Sequence, residues 1–326
     1  MRKKVIIINR LPDIVVSRLR EKFDVKHFTT PLPKNDQTFK KELQNASGII
    51  GYGFTVDDDI LEHGSQLEII STVSVGYNHL NVDLLTEKRI IATNTPDVLT
   101  DTVADTIFGL LIATARRIPE LDQYVKTGQW RGLLGADYYG TDVHHKTVGI
   151  IGMGRIGQAI AHRAHFGFHM DVLYYNRSRK PEAEEKYKAH YCQLPELLQQ
   201  SDYVVLMTPL TKDTKGLIGA EQFKQMKDTA IFINGSRGAT VVEKDLITAL
   251  KNKEIAAAGL DVFEKEPVAP NNPLLSMENV VTLPHIGSST YDTEFKMAVL
   301  ACDNIIAGLT GEKPPSLVNE SVWNDK

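Results

Sequence analysis

Thr147-Val148-Gly149-Ile150-Ile151-Gly152-Met153-Gly154-Arg155-Ile156-Gly157 is the stretch on which the reading of this chain turns. A short β-rich apolar run meets the pattern G-x-G-x-x-G, and residues 158–164 then offer a good helix former at most positions. Glycine-rich turns are common, so the pattern alone says little; a strand before it and a helix after it give it content. In such a turn Gly152 permits the tight bend and Gly154 lets the backbone approach a pyrophosphate. Gly157 lets the helix pack closely on the strand, and Arg155 and Ile156 open the helix, whose positive N-terminal end faces the anion. The stretch reads as the first turn of a dinucleotide-binding unit.

Around it the chain alternates short β-rich runs with amphipathic segments. Downstream strands are expected at residues 172–175, 203–207, 230–234, 256–260 and 280–282, and upstream at 4–8, 48–51, 68–72 and 90–92. Between the upstream strands, residues 14–22, 36–43 and 57–62 read as helices. That alternation predicts parallel sheets with crossover helices. A single long helix is expected over residues 102–127, with Thr102 and Asp105 at capping-box spacing. Residues 292–309 read as a helix that returns to cover the first sheet, and residues 319–326 as a tail. The fold class expected is α/β, with two doubly wound parallel-sheet domains, one flavodoxin-like and one Rossmann, and an active-site cleft between them. Residues 1–100 plus 290–326 are expected to form a discontinuous substrate-binding domain, and residues 101–289 the NAD(P)-binding domain.

Bulk composition excludes several classes. The 326 residues are 42% hydrophobic and 24% charged, which suits globular domains rather than a disordered chain. A net charge of -4, mixed in sign along the chain, gives no basic face for nucleic acid. Cys192 and Cys302 lie far apart, without metal-ligand spacing, and read as free thiols of a reducing compartment. The apolar run after Met1-Arg2-Lys3-Lys4 is too short for a signal peptide, and residues 106–115 are too short to span a bilayer. The expectation is a cytoplasmic protein with no membrane or nucleic-acid partner. His162, His165 and His169 lie near one helix face, but without a HExxH or paired-acid motif no metal is expected.

The cofactor's second phosphate is decided at the end of the strand over residues 172–175. An NAD-binding unit carries Asp or Glu there, about twenty residues past the glycines, to bind the ribose hydroxyls. Here the strand runs into Asn176-Arg177-Ser178-Arg179-Lys180, and Asp171 sits at its wrong end. Arg177 and Arg179 suit a 2′-phosphate, with Ser178 as a hydroxyl donor. NADP(H) is therefore preferred over NAD(H), which stays as the alternative. Thr208 and Pro209, after the next strand, join the expected cofactor contacts.

Three further segments follow strands, where open α/β sheets place ligands. They are Asn234-Gly235-Ser236-Arg237-Gly238, Leu260-Asp261 through Glu266-Pro267, and Pro284-His285-Ile286-Gly287. Singly, each has a bland reading: a surface cation, a turn acid, a packed histidine. Together they suit the reduction of a 2-keto acid. Arg237 can bind the acid and polarise its carbonyl, His285 can act as general acid, and Glu266 can orient the imidazole and favour its protonated form.

These motifs resemble the D-2-hydroxyacid dehydrogenases over essentially the whole chain. The resemblance implies Arg237, Glu266 and His285 as catalytic residues and Asp261 near the nicotinamide amide. It also implies Gly235 and Gly287 around the cofactor, and the backbone of Val75 and Gly76, in Ser71-Thr72-Val73-Ser74-Val75-Gly76, as a substrate-carboxylate clamp. Residues 139–147 and 164–168 look most like the bacterial glyoxylate/hydroxypyruvate reductases, also called 2-ketogluconate reductases. Family members are usually homodimers joined through the nucleotide domain, and the same is expected here. The missing acid at residues 176–179 departs from the family's NAD pattern and agrees with its NADPH-using branch. Two rival readings remain. One is an NAD-dependent dehydrogenase of phosphoglycerate or D-lactate type, although this chain ends soon after Val318-Asn319, where many phosphoglycerate enzymes add a regulatory domain. The other is a non-catalytic dinucleotide-sensing, corepressor-like protein, which turnover of a keto acid would exclude.

Overall fold

The computed structural model describes residues 2–29 and 36–324. Two compact units divide the chain: Met1–Leu99 with Ser289–Lys326, and Thr100–Ser288. Each is built on one parallel sheet.

In the first unit the strands are β1 (Lys4–Ile8), β2 (Asp24–Phe28), β3 (Ala46–Gly51), β4 (Ile69–Thr72) and β5 (Ile91–Thr93), in the order β2-β1-β3-β4-β5. This is the flavodoxin-like order. Helices cover both faces, so the central strands read as near-continuous apolar runs: Val5, Ile6, Ile7, Ile49, Ile50, Ile69 and Ile70 are all fully buried. On one face Ile6, Ile8, Ile49, Ile70 and Ala92 pack with Phe39, Leu61 and Leu85 from the crossover helices. Against the other lies the long helix Tyr291–Thr310, which packs on β3 and β4. Ser71 Oγ donates to its Ala301 carbonyl at 3.1 Å, and Asp303 pairs with Arg18 at 2.6 Å. The chain then returns to the edge of β5, where the Asn319 side chain accepts from Ala92 N–H and donates to the Ile90 carbonyl.

The second unit holds β6 (Thr147–Ile151), β7 (Asp171–Tyr175), β8 (His190–Tyr191), β9 (Tyr203–Leu206), β10 (Ile231–Asn234), β11 (Ala257–Leu260) and β12 (Val280–Thr282). Their order is β12-β11-β10-β9-β6-β7-β8, all parallel. Chain order reverses at β6, and the glycine turn follows that strand, the switch point where such sheets bind ligands.

Several local expectations change. The strand β2 lies outside the expected set: its sequence, Asp-Val-Lys-His-Phe, is half polar because it lies at a sheet edge. The two-residue β8 is too short to carry a pattern. The expected helix over residues 102–127 is two helices, Thr100–Ala115 and Ile118–Lys126. They break where Arg117 adopts left-handed φ 55°, with Pro119 in the first turn of the second helix. Because the first begins at Thr100, Thr102 and Asp105 lie inside it rather than forming a cap, and Asp105 pairs with Arg163 at 2.6 Å. The dinucleotide-turn helix is Arg155–His162, continued by a wider turn over Arg163–Gly167. Within the expected tail, Glu320–Asn324 forms a short helix, and residues 325 and 326 lie outside the described residues.

Phe232 sits at the centre of the second unit's core, fully buried and edge-on to Phe223 with ring centroids 5.5 Å apart. Phe232→Ala is expected to destabilise that unit by about 3–5 kcal/mol, measured by denaturant unfolding.

Candidate active site

The glycine turn shows three distinct uses of a missing Cβ. At Gly152, φ is 106°, and a Cβ would lie 2.8 Å from the carbonyl carbon of Met207 and 2.9 Å from Thr208 N. At Gly157 a Cβ would lie 2.2 Å from the Gly152 carbonyl oxygen, so only glycine lets helix and strand approach this closely. At Gly154 a Cβ would meet nothing within 4 Å, and the residue is exposed. That open space at a helix N-terminus fits a pyrophosphate. Beside it, Thr208 Oγ1 is buried with no hydrogen-bond partner among the described residues, a polar atom left for a ligand in the cradle. The residues present therefore fit a dinucleotide. Pro209 is exposed and its carbonyl accepts from Thr214 Oγ1.

Further along the sheet edge, Asn176, Arg177, Ser178 and Arg179 follow β7. Arg177 and Ser178 are exposed, and their side chains make no hydrogen bond or ion pair among the described residues. Arg179 pairs instead with Glu184, an acid outside the segment weighed in the sequence.

The loops after β10, β11 and β12 come together by close backbone approach. Gly235 packs on Ile107, where a Cβ would lie 2.3 Å from its Cδ1. At Gly238 a Cβ would fall 1.8 Å from the carbonyl carbon and oxygen of Phe263. Only glycine allows that contact, and it brings Arg237 alongside the loop that carries Glu266. Arg237 is extended at φ -142° and donates through Nη1 to the Ser236 carbonyl at 2.7 Å. Burial lowers its proton affinity, against the opposing charges of Glu266 and Asp261.

Asp261 is 2% exposed, and its two carboxylate oxygens accept from Ile286 N at 2.8 Å and Gly287 N at 3.0 Å. Burial pushes its carboxyl upward despite those donors. Thr106 Oγ1 donates to the Gly287 carbonyl at 3.1 Å from the other side. The turn held this way carries His285 at left-handed φ 55°. Its Nδ1 lies 2.7 Å from Glu266 Oε2, while Glu266 Oε1 accepts from Phe263 N at 3.0 Å.

Burial alone would raise the Glu266 carboxyl. The His285 hydrogen bond, the Phe263 N–H and the charges of His285 and Arg237 outweigh it and hold the group below its ordinary 4.5. The stabilisation from this pairing is therefore complete above pH 4.5 and is lost as pH falls through the lowered folded value. Arg237, Glu266 and His285 thus share one electrostatic neighbourhood at the C-terminal edge of a parallel sheet.

In the first unit, the turn after β4 is stripped of competing acceptors. Ser74 Oγ donates to the Gly76 carbonyl at 2.7 Å, and Asn94 Nδ2 to the Val75 carbonyl at 2.8 Å. Thr72 Oγ1 links Ser74 Oγ at 2.9 Å to His79 Nε2 at 3.0 Å. The Val75 and Gly76 N–H groups bond to nothing among the described residues and are available to an anion. The sequence marked the turn but not Ser74 and Asn94, whose roles depend on the fold. Tyr77 is exposed, and the Tyr52 hydroxyl donates to the Arg10 carbonyl. Among the described residues no group of three or more His, Cys, Asp or Glu is placed to hold a metal ion.

A Rossmann sheet with such a cradle, and with a carboxylate–imidazole pair beside it, is the framework of an NAD(P)-dependent oxidoreductase. The profile of "D-isomer specific 2-hydroxyacid dehydrogenase, NAD binding domain" matches residues 108–287. A glyoxylate/hydroxypyruvate reductase B of Escherichia coli is 50% identical over 322 residues, covering 99% of each chain. The crystal structure of an NADPH-dependent glyoxylate/hydroxypyruvate reductase from Sinorhizobium meliloti, in complex with NADP and malonate, is 32% identical with a TM-score of 0.87. That match covers 98% of each chain. A crystal structure of a Thermus thermophilus protein is 36% identical with a TM-score of 0.89, covering 97% of this chain and all of that one. This chain belongs to the D-isomer specific 2-hydroxyacid dehydrogenase family, and it is an NAD(P)-dependent oxidoreductase.

The Gly238 contact makes a direct prediction. Gly238→Ala is expected to displace Arg237 from the Glu266 loop and lower kcat/KM for 2-keto acid reduction by about 100-fold, as small misplacements of catalytic groups do. Dinucleotide affinity, measured by titration calorimetry, is expected to stay near that of the parent.

Proposed function

We propose that this protein is an NADPH-preferring reductase of small 2-keto acids, glyoxylate and hydroxypyruvate first and 2-ketogluconate among the larger candidates. The observation that carries the reading is the 2.7 Å His285–Glu266 pair beside a half-buried Arg237. Arg237 binds the keto acid and polarises its carbonyl with a planar, permanently charged fork. His285 holds the proton that passes to the carbonyl oxygen, and Glu266 fixes the imidazole so that Nε2 faces the substrate. The N–H groups of Val75 and Gly76 bind the substrate carboxylate. The dihydronicotinamide, when bound, supplies the hydride.

Gly152, Gly154, Arg155, Ile156 and Gly157 would hold the pyrophosphate end of the cofactor, with Thr208 and Pro209 beside it. Arg177, Ser178 and Arg179 would hold the 2′-phosphate, and Gly235 and Gly287 would leave room for the nicotinamide end. Asp261 would lie near the carboxamide; both its oxygens accept backbone N–H groups, so it also seats the turn that carries His285. The names of the E. coli and S. meliloti relatives support the substrates, and the latter's bound NADP supports the phosphorylated cofactor.

On this reading the units Met1–Leu99 with Ser289–Lys326 and Thr100–Ser288 are the substrate-binding and NAD(P)-binding domains. The protein works in the cytoplasm; among the described residues no helix is long and apolar enough to cross a membrane. It is a homodimer through the nucleotide-binding unit. The helix Ile118–Lys126 buries none of its residues, and Ile118, Val125, Trp130, Leu133 and Tyr139 are all more than half exposed. An apolar series of this kind is the composition of an interface rather than of a solvated arm. The mass in solution should be that of two chains, and Leu133→Glu is expected to shift it toward one.

Initial rates of NADPH and NADH oxidation with glyoxylate, hydroxypyruvate and 2-ketogluconate test the whole reading. Fast turnover with NADPH is expected. No turnover in a protein that binds a dinucleotide would replace it with a sensor. His285→Ala should lower kcat by at least about 100-fold, the scale of general acid catalysis, with cofactor affinity retained. Near-normal turnover would remove His285 from its role.

A further inference from the structure

The loop after β7 lacks an acid, yet one reaches it from the next helix, Pro181–Tyr187. Arg179 donates through Nε to Glu184 Oε1 at 3.0 Å and through Nη2 to Oε2 at 2.6 Å, a two-point pair. Glu184 is itself anchored to the sheet. The hydroxyl of Tyr174, a fully buried residue of β7, donates to Oε1 at 2.6 Å and accepts from Lys180 N at 2.7 Å. The Arg179 and Tyr174 hydrogen bonds hold the Glu184 carboxyl down to about 2. An exposed arginine is otherwise a flexible side chain; this one is fixed at its fork, with its guanidinium carbon 5.9 Å from the Tyr191 ring centroid.

A guanidinium offers five N–H donors in a rigid plane. Pairing with Glu184 takes up Nε and one edge of Nη2, and leaves the Nη1 edge to a second anion. We propose that Glu184 is a positioning residue for cofactor choice. It aims Arg179 at the 2′-phosphate, and its own charge is cancelled only while Arg179 is present. This rests on the reading that the phosphorylated cofactor is preferred.

Two effects of opposite sign follow from the same carboxylate. In the intact protein Glu184 aids phosphate binding, because an arginine held in place loses less freedom when it binds. Without Arg179, an unpaired carboxylate stands beside a phosphate site and repels it. Glu184→Gln should therefore weaken NADP⁺ binding in the parent and strengthen it in an Arg179→Ala background. A role limited to holding the helix would change NADP⁺ and NAD⁺ affinity alike.

The test is titration calorimetry of NADP⁺ and NAD⁺ into the full chain, its Glu184→Gln, Arg179→Ala and Arg177→Ala variants, and the Arg179→Ala/Glu184→Gln double variant. Glu184→Gln is expected to raise the Kd for NADP⁺ about 3- to 10-fold, up to one decade of affinity, and to leave that for NAD⁺ unchanged. Adding it to Arg179→Ala is expected to recover about 3-fold of the lost NADP⁺ affinity, a fraction of one charge–charge interaction at an exposed site. Parallel changes for both dinucleotides, tighter NADP⁺ binding in Glu184→Gln alone, or no recovery in the double variant would each overturn the proposal. The parent and Arg177→Ala separate the two levels. A parent that binds NAD⁺ as tightly as NADP⁺ sinks the cofactor reading together with this inference. Selectivity that is lost in Arg177→Ala but untouched in Glu184→Gln sinks the inference alone.

Discussion

The carboxylate of Asp261, buried at the end of β11, accepts two backbone N–H groups from the turn after β12, and the placement of the His285 ring against Glu266 depends on that pairing. A charged group out of water is costly unless its oxygens are satisfied. Here the compensation is the N–H of Ile286 and of Gly287, so the turn cannot move without stranding the acid. His285, one residue earlier, is held in a left-handed conformation uncommon outside glycine. Its ring then meets Glu266 at 2.7 Å, and Glu266 is tied to the backbone at Phe263 on the same loop as Asp261. One buried acid thus sets the turn, and the turn sets the imidazole.

The parallel sheet explains why these groups meet. Its strands all end at one edge, so the segments after β6, β9, β10, β11 and β12 gather there whatever their distance along the chain. Glycines then control how near each loop can come: Gly152 against Met207 and Thr208, Gly157 against its own turn, Gly238 against Phe263. Burial next sharpens the electrostatics. It disfavours the charge on Arg237, an effect that the nearby negative charges of Glu266 and Asp261 counter, and it raises the Glu266 carboxyl, which the His285 hydrogen bond and the Phe263 N–H bring back down. Glu266 and Asp261 sustain the charge of a half-buried Arg237, which keeps a planar cation in place for an anionic substrate.

Much of this was legible in the sequence. The strand–turn–helix around Gly152 marked the dinucleotide turn, the alternation of elements marked two parallel sheets, and three loops after strands supplied Arg237, Glu266 and His285. Local signals sufficed because glycine, strand and helix preferences act over a few residues. The features without a local signal are set over longer distances. The strand β2 has half-polar composition because a sheet edge needs apolar residues on less of its surface. The break at Arg117 follows from a backbone conformation that arginine rarely takes, for which composition gives little warning.

The sequence by itself determined the covalent pattern and its local consequences: a glycine turn, basic residues where an acid would mark NAD, and the residue types a keto-acid reductase needs. Only the tertiary structure decided which groups face one another. It set Glu184 on Arg179, Ser74 and Asn94 on the carbonyls of the Val75–Gly76 turn, and Asp261 on the Ile286 and Gly287 N–H groups. The physical reason is that hydrogen bonds and ion pairs form between atoms a few ångströms apart in space. Spacing along the chain fixes that separation within a helix or a turn, but between loops it is fixed only by the packing of the sheet that carries them.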